Sequence, residues 1–476
     1  MPRFNTRTPT LTRTTNLAGG PAFVESPELE LASLVLTSFV KDQFYRSADD
    51  SIERLRVLIE SLKDKRFAAK VAIYARREFH MRSITHAVAG HLATMVKGEQ
   101  WTRPFYRDVV ERVDDATEIL SFYLSTYGEP VPNALKDGLA QAIVKFDAYQ
   151  LAKYRAEGKS VSLVDLCNLV HPKPTDRNRE AFATLMKGEL KSTETWEAQL
   201  SKAGQDADEE NPESDLKAVA WAGLLESGTI GQFALLRNLR NIVQQAPAMV
   251  PHAEALLLNE KRIAQSKILP FRYATAIDEL VKVGGSGRLA TATAHAMELS
   301  LKNVPTLPGK TCVVLDCSGS MLGKPAEIGQ IFAAVLYKAN DADMVLFSDK
   351  AAYVQPLVIN PTYTIARSLP NAAGGTNLNA VFTTLDKPYD RIVILSDMQS
   401  WMSPQVPQAE FEAYCRKFSC RPHIYSFDLQ GYGTLQFPEP KVYALAGFSD
   451  KVFDLMAILE QDRMALVNAI EAVPIG

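Results

Sequence analysis

Apolar residues recur at helical spacing from about Glu28 to Lys302. Leu29, Leu31, Leu34 and Val35 begin one stripe, and Ile52, Leu55, Leu58, Ile59 and Leu62 continue at i, i+3, i+4 intervals. Phe67, Val71 and Tyr74 form another, as do Ile84, Val88, Leu92 and Met95. The same spacing predicts helices at 104–126, 132–155, 161–170, 178–190, 214–226, 230–245, 250–265, 271–283 and 285–302. Strand-like alternation is nearly absent from this stretch. Many short amphipathic helices in tandem predict stacked helix pairs, an α-solenoid, rather than one bundle. No fixed repeat length is visible, so that expectation rests on the succession of helices alone.

The pattern changes after Pro305-Thr-Leu-Pro-Gly309, a joint that no helix crosses. Apolar runs at 311–315, 343–347, 391–395 and 423–427 then alternate with helical spacing at 325–340, 377–386, 406–417 and 451–468. That alternation predicts a mainly parallel, doubly wound α/β sheet. The chain is therefore expected to be multi-domain, with a helical solenoid over 25–304 and an α/β domain over 305–476. Residues 1–24 are basic, rich in Thr and free of acids, and predict a mobile or extended arm. The acidic stretch Gln205 to Asp215 predicts an exposed loop within the helical domain.

Composition changes this picture only by exclusion. A chain of 476 residues suits about two or three domains. The formal net charge of -3 predicts no polyanion partner from overall charge, so local clusters must carry any such role. Cys167, Cys312, Cys317, Cys415 and Cys420 are odd in number and form no CxxC pair, which argues against a disulfide framework or a zinc site. The N-terminus lacks the apolar core of a signal peptide, and no stretch reaches the ~20 apolar residues of a membrane span. A cytoplasmic protein without a membrane partner is expected. There is no GxxxxGK[ST], HExxH or GxSxG, and an enzyme is not expected.

Thr311 to Met321, TCVVLDCSGSM, carries the sharpest chemical signal. A buried strand ends in Asp316, and Ser318, Gly319 and Ser320 follow before the next helix. One carboxylate and two hydroxyls thus sit beyond a strand's carboxyl end, where ligands of such sheets bind. Ala373 to Asn377 adds a Gly-rich turn carrying a hydroxyl, and Arg391 to Asp397 a second strand ending in a carboxylate. Hard oxygens suit Mg²⁺ or Ca²⁺ rather than zinc. Asp-x-Ser also serves as a helix cap and Asp397 as a turn residue. Three separated pieces together favour a divalent-cation site. It has no nucleophile–base pair, which points to binding rather than catalysis. The trio resembles the metal-ion-dependent adhesion site of the von Willebrand factor A (vWA) family. The matching positions are Asp316, Ser318, Ser320, Thr376 and Asp397. Mg²⁺ is the expected ion, its shell completed by water or by an acidic group of a protein ligand.

A helical half followed by a vWA-like half resembles the Ro autoantigen family, whose helical part is the TROVE module. Three stretches carry the resemblance: Val71 to Ser83, VAIYARREFHMRS; Lys153-Tyr-Arg155 with Asp165 to Pro174, DLCNLVHPKP; and Ala234 to Asn241, ALLRNLRN. The resemblance implies a ring of HEAT-like repeats closed by the vWA domain. It implies small non-coding Y RNA on the outer surface and single-stranded 3′ ends of misfolded RNA in the central hole. A separate exoribonuclease chain would do the cutting. Lys153, Arg155, His171 and Lys173 are carried over as RNA contacts. Arg76, Arg77 and Arg82 form a second basic cluster at a helix end, where positive charge is also ordinary capping. Arg237 and Arg240 share a helical face, and Lys267 and Arg272 flank Pro270; these are candidates for the ring's inner wall. A monomer is expected. The alternative is a metal-dependent protein-adhesion adaptor that uses the vWA-like domain without specific RNA binding.

Overall fold

The computed structural model describes residues 12–15, 21–24, 26–37, 48–154, 158–190, 196–206, 212–370, 374–397, 407–429, 442–446, 453, 456, 460 and 465–476. Strands β1 (Thr12–Thr15) and β2 (Pro21–Val24) pair antiparallel, so part of the expected arm is a two-stranded ribbon. The threonines that made this stretch look polar are also good strand formers.

The helical half runs α1 (Pro27–Thr37), α2 (Ala48–Ser61), α3 (Lys65–Arg77), α4 (Ser83–Met95), α5 (Thr102–Asp108) and α6 (Val113–Tyr127). It continues with α7 (Asn133–Ile143), α8 (Ala148–Lys153), α9 (Leu163–Val170), α10 (Arg179–Met186), α11 (Trp196–Gln205) and α12 (Glu213–Glu226). It ends with α13 (Gln232–Gln245), α14 (Val250–Leu257), α15 (Glu260–Ser266), α16 (Pro270–Leu280) and α17 (Gly287–Ser300). Three predicted helices are each two. The 132–155 stretch breaks where Asp147 caps α8, accepting from Gln150 N at 2.8 Å while Gln150 answers Asp147 N at 3.1 Å. The 250–265 stretch breaks at Asn259, which caps Arg262 N at 3.1 Å. The 104–126 stretch breaks where Asp115 accepts from the backbone of Glu111 and Arg112. Helix α11 was not anticipated. Of the expected acidic loop, residues 207–211 lie outside the described residues, and Glu213 already begins α12.

Neighbouring helices pack in a stack, α4 on α6, α5 on α7, and α13 on α14 and α16. Gly138 lets α7 approach α5, because a Cβ there would meet Tyr106 Cβ at 2.5 Å and Arg103 O at 2.8 Å.

After the Pro305–Gly309 joint comes a six-stranded sheet of β3 (Thr311–Asp316), β4 (Asp343–Phe347), β5 (Ala351–Val354), β6 (Arg391–Ser396), β7 (His423–Asp428) and β8 (Val442–Ala446). Its order is β5-β4-β3-β6-β7-β8, with only the β4–β5 pair antiparallel. Strands β3 and β6 are buried along their whole length, as central parallel strands covered on both faces must be. Val313, Leu315, Val393, Leu395 and Phe427 pack in one cluster with Phe332, while Cys312, Val314, Ile392 and Ile394 pack in another with Phe382 and Phe411. The helices of this half are α18 (Lys324–Ala339), α19 (Thr362–Ser368), α20 (Asn379–Thr384), α21 (Gln408–Phe418) and α22 (Ala465–Glu471), with α19 packed on α18 and α22 on α1 and α3. Strands β5 and β8 and helix α19 were not anticipated, and part of the predicted 451–468 helix lies outside the described residues.

Both ends of the helical stack meet the α/β half. At the last helices, the Phe271 ring lies 5.3 Å from that of Phe332. Asp278 accepts from Arg367 Nη2 at 2.6 and 2.8 Å and from Tyr363 OH at 2.8 Å. Glu298 accepts from Lys338 Nζ and from Thr362 N. At the first helices, α1 packs on β8 and α3 on α22, where Lys70 pairs with Glu471 at 2.9 Å. The molecule is a helical-repeat ring closed by a doubly wound α/β unit.

Candidate metal centre and nucleic-acid faces

The three predicted metal-site segments converge at the carboxyl ends of β3 and β6. Asp316 leaves β3 and accepts from Ser318 N at 2.8 Å, and Ser318 and Ser320 share a hydroxyl contact of 3.1 Å. The turn then bonds to the Gly-rich loop, Gly319 N donating to Gly374 O at 3.0 Å. Thr376 in that loop is buried, as are Ser318, Asp316 and Asp397, while Ser320 is exposed. Two further residues belong to the centre that sequence reasoning did not name. Ser396, the residue before Asp397, donates to Asp316 Oδ2 at 2.5 Å. Asp349, just beyond β4, accepts from Gly375 N at 2.5 Å and so holds the loop that carries Thr376. Ser396 lay in plain view beside Asp397, whereas Asp349 becomes relevant only through the β3–β4 pairing.

Burial pushes the Asp316 carboxyl up to about 7, against the hydrogen bonds of Ser396 and Ser318, and the neighbouring Asp397 carboxylate pushes it the same way. The donors gathered here are two carboxylates and three hydroxyls, hard oxygens throughout.

The basic clusters meet different fates. At the end of α3, Arg76 is buried and pairs with Asp115 at 2.9 Å, so the expectation that it contacts RNA is corrected. Arg82 pairs with Asp114 and Asp115 at 2.9 Å each, and His86 Nε2 bonds Asp115 at 3.0 Å. Burial alone would raise the Asp115 carboxyl, but His86, Arg76 and Arg82 hold it well below the usual carboxylate range. Arg77 is exposed and pairs with Glu111 at 3.2 Å. This cluster is chiefly a fastening between α3, α4 and α6.

The α8–α9 region is open. Lys153 is exposed at the end of α8, with Nζ 5.8 Å from the Tyr149 ring centre and 5.5 Å from that of Tyr154. Arg112 Cζ stands 4.2 Å over the other aromatic of this row, Tyr154. His171, in the left-handed conformation, ends α9, and both it and Lys173 are exposed. Their loop is held near the start of α8, where Asn178 Nδ2 donates to the carbonyls of Val144 and Phe146 at 2.7 and 3.0 Å. Tyr149, Tyr154 and Arg112 were not singled out from the sequence, although Tyr149 and Lys153 stand one helical turn apart. Arg155 lies outside the described residues.

The third group lies on α13 and α16. Arg237 and Arg272 stand 5.8 and 6.0 Å from the ring centre of Phe233, which sequence reasoning missed. Arg240 pairs with Glu279 at 3.7 Å, and Lys267 is exposed at the left-handed end of α15.

A family model described as the TROVE domain matches residues 40–213 and 183–303, more than half of the chain. Telomerase protein component 1 of Rattus norvegicus is 21% identical over 351 residues, which is 54% of this chain and 13% of that protein. The Mus musculus protein of the same name is 21% identical over 350 residues, 55% of this chain and again 13% of the relative. The chain thus matches only a small part of the length of these curated relatives. The crystal structure of the Deinococcus radiodurans Ro (RSR) protein matches with a TM-score of 0.66 at 17% identity, covering 91% of this chain and 99% of that one. At that identity the likeness is one of fold.

Proposed function

The chain belongs to the TROVE-domain family and has the Ro architecture, and from that premise we propose that it is an RNA-binding, ring-shaped ribonucleoprotein subunit. It takes a small, Y-like non-coding RNA on its outer surface and single-stranded 3′ ends of misfolded RNA in the ring's hole. In this reading it acts in the cytoplasm as a non-catalytic scaffold that presents RNA to a partner exoribonuclease.

The observation that carries the reading is the row Tyr149, Lys153, Tyr154 and Arg112, with His171 and Lys173 on the adjacent loop. RNA offers phosphates to cations and unpaired bases to aromatic faces, and this surface has both in alternation. The test is binding of a structured RNA with a single-stranded 3′ tail across a salt series. Wild type is expected to bind with a steep salt dependence. Lys153→Ala/His171→Ala is expected to weaken binding by roughly ten- to a hundredfold, and Asp316→Ala to leave it unchanged. Wild-type binding no greater than that of a neutral control protein would overturn the proposal.

In the same reading Asp316, Ser318, Ser320, Thr376 and Asp397 hold one divalent cation, Mg²⁺. Their chemistry fits: two carboxylates cancel the ion's charge, and neutral hydroxyls add ligands without adding charge. When bound, the ion supplies a coordination position for an acidic side chain of a protein partner. Leu322, 62% exposed directly after the Gly319–Met321 turn, gives such a partner an apolar contact beside the acid. This favours the adhesion role as a companion to RNA binding.

A further inference from the structure

All five cysteines are thiols, and two of them meet at the end of one helix. Helix α21 finishes at Phe418, and Ser419 then takes the left-handed conformation, with φ 51°. That turn folds the chain back on the helix. The amides of Ser419 and Cys420 both donate to the carbonyl of Cys415, the second at 3.2 Å. A helix that stops in this way brings the side chain after the left-handed residue against those of the last turn, usually as an apolar contact. Here the two residues are Cys420 and Cys415. Cys415 is buried and Cys420 half-buried, and both pack in the cluster on one face of the sheet. Tyr414 fixes this last turn. Its hydroxyl donates to Lys387 O at 3.1 Å, accepts from Tyr389 N at 3.0 Å and lies within hydrogen-bonding reach of the Cys420 thiol.

We propose that Cys415 and Cys420 are a redox pair that closes to a disulfide when a peroxide reaches Cys420. A disulfide needs close Cα atoms, and backbones joined directly by an N–H···O bond meet that need. Cys420 is the point of entry, since its side chain is the less buried of the two. Peroxide transfers one oxygen to its sulfur, giving a sulfenic acid, and leaves as water. The sulfur of Cys415 then attacks that sulfur. The S–O bond breaks, and the hydroxyl departs with the Cys415 proton as a second water. One peroxide is reduced and two thiols are oxidised. A dithiol reductant reverses the bond by thiol–disulfide exchange. Cys167 and Cys312 are buried on other elements, and burial pushes the Cys167 thiol up to about 12 and raises that of Cys312 as well. The pair is no disulfide framework. It is reduced at rest, and in a reducing compartment such a bond serves as a transient redox signal. No CxxC marks it, because the spacing is set by the helix ending.

The plain alternative is that two small sulfurs fill the helix end as apolar side chains. Peptide mapping separates the two readings. Trypsin cuts after Arg416 and Lys417, so Cys415 and Cys420 leave on different peptides unless a disulfide joins them. The full-length protein is treated with hydrogen peroxide in native buffer and, in parallel, in urea. Remaining thiols are alkylated before digestion. The native sample is expected to give the joined peptide, lighter by two hydrogens than the sum of its parts. It should form several-fold faster than in urea, because the fold holds the sulfurs together. Dithiothreitol should restore both thiols. Cys415→Ser should lose the joined peptide and leave Cys420 as a sulfenic acid that dimedone captures. Cys420→Ser should lose it and leave Cys415 a thiol. A native protein that yields no joined peptide, or yields it no faster than the unfolded chain, would overturn the proposal.

Discussion

Two buried carboxylate centres, one in each half of the molecule, have opposite surroundings. Asp115 in the helical half is enclosed by Arg76, Arg82 and His86 and accepts two backbone amides as well. Asp316 in the α/β half is as deeply buried, but its partners are the hydroxyl of Ser396 and the amide of Ser318, and Asp397 is near enough to repel it. Removing a charge from water costs several kcal/mol unless an opposite charge comes with it. The helical centre brings its counter-charges from within the chain and is architecture. The α/β centre brings oxygens, and its balancing charge is expected from outside.

The sharpest way to break this contrast is to delete each acid in turn. Asp115→Ala is expected to cost about 3–5 kcal/mol, because it strands the buried Arg76 without the carboxylate it pairs with and takes one of Arg82's two acids away; the midpoint of urea unfolding followed by helical circular dichroism checks it. Unchanged stability would mean that the cluster is not the fastening described.

Acid pH sharpens the helical side further. His91 is buried on α4, with Nδ1 2.6 Å from Tyr127 OH, and burial lowers its pKa to about 4. At His91 the unfolded chain takes up a proton below about pH 6.5 and the folded chain only below about 4, so the stability this residue contributes is lost as pH drops through that window. The expected slope is about 1.4 kcal/mol per pH unit, or about 3 kcal/mol in all. Asp115, with its folded pKa depressed, adds a second loss only below the unfolded carboxylate value of about 3.9. His91→Gln should remove the first step and keep the second. Asp316, whose carboxyl is pushed up to about 7, gives the opposite slope over the same range, so the readout is the difference between wild type and His91→Gln; a difference that is the same at pH 6.5 and pH 4.5 would contradict the assignment.

The smallest effect belongs to the α/β side and has the other sign. Magnesium at a hundredfold over its Kd should stabilise wild type by about 2.7 kcal/mol, and Asp316→Asn should abolish that gain. In metal-free buffer the same variant should be no less stable than wild type, since it removes a repelling charge. Thermal unfolding with and without Mg²⁺ reads both outcomes; a variant destabilised without metal would place Asp316 with Asp115 after all.

The difference between the two centres also decides what could be read from the sequence. The three segments that meet at the ends of β3 and β6 were legible because each is local: a buried strand, a turn residue, an oxygen at a fixed offset. Arg76 was not, because a cation at a helix end looks the same whether or not an acid waits opposite, and Asp115 lies 39 residues further on. The solenoid and the sheet were legible from periodicity. Short edge strand β5 and the helix breaks at Asp147 and Asn259 were not, since apolar spacing ran through the caps. Phe233 and Arg237 stood at i, i+4 in plain sight, while Arg272 joined them only through the packing of α16 on α13.

Lys70 and Glu471 touch across 401 residues of sequence. For a formless chain, tying such distant points together would cost roughly 5 kcal/mol in loop entropy, far more than one exposed ion pair returns. The stacked helices remove that cost, because their curvature has already carried α3 round to α22. Ring closure therefore draws on every intervening repeat. A defect in the middle of the solenoid is felt at a seam it never touches, and a nascent chain cannot complete the circle until its final helix has been synthesised.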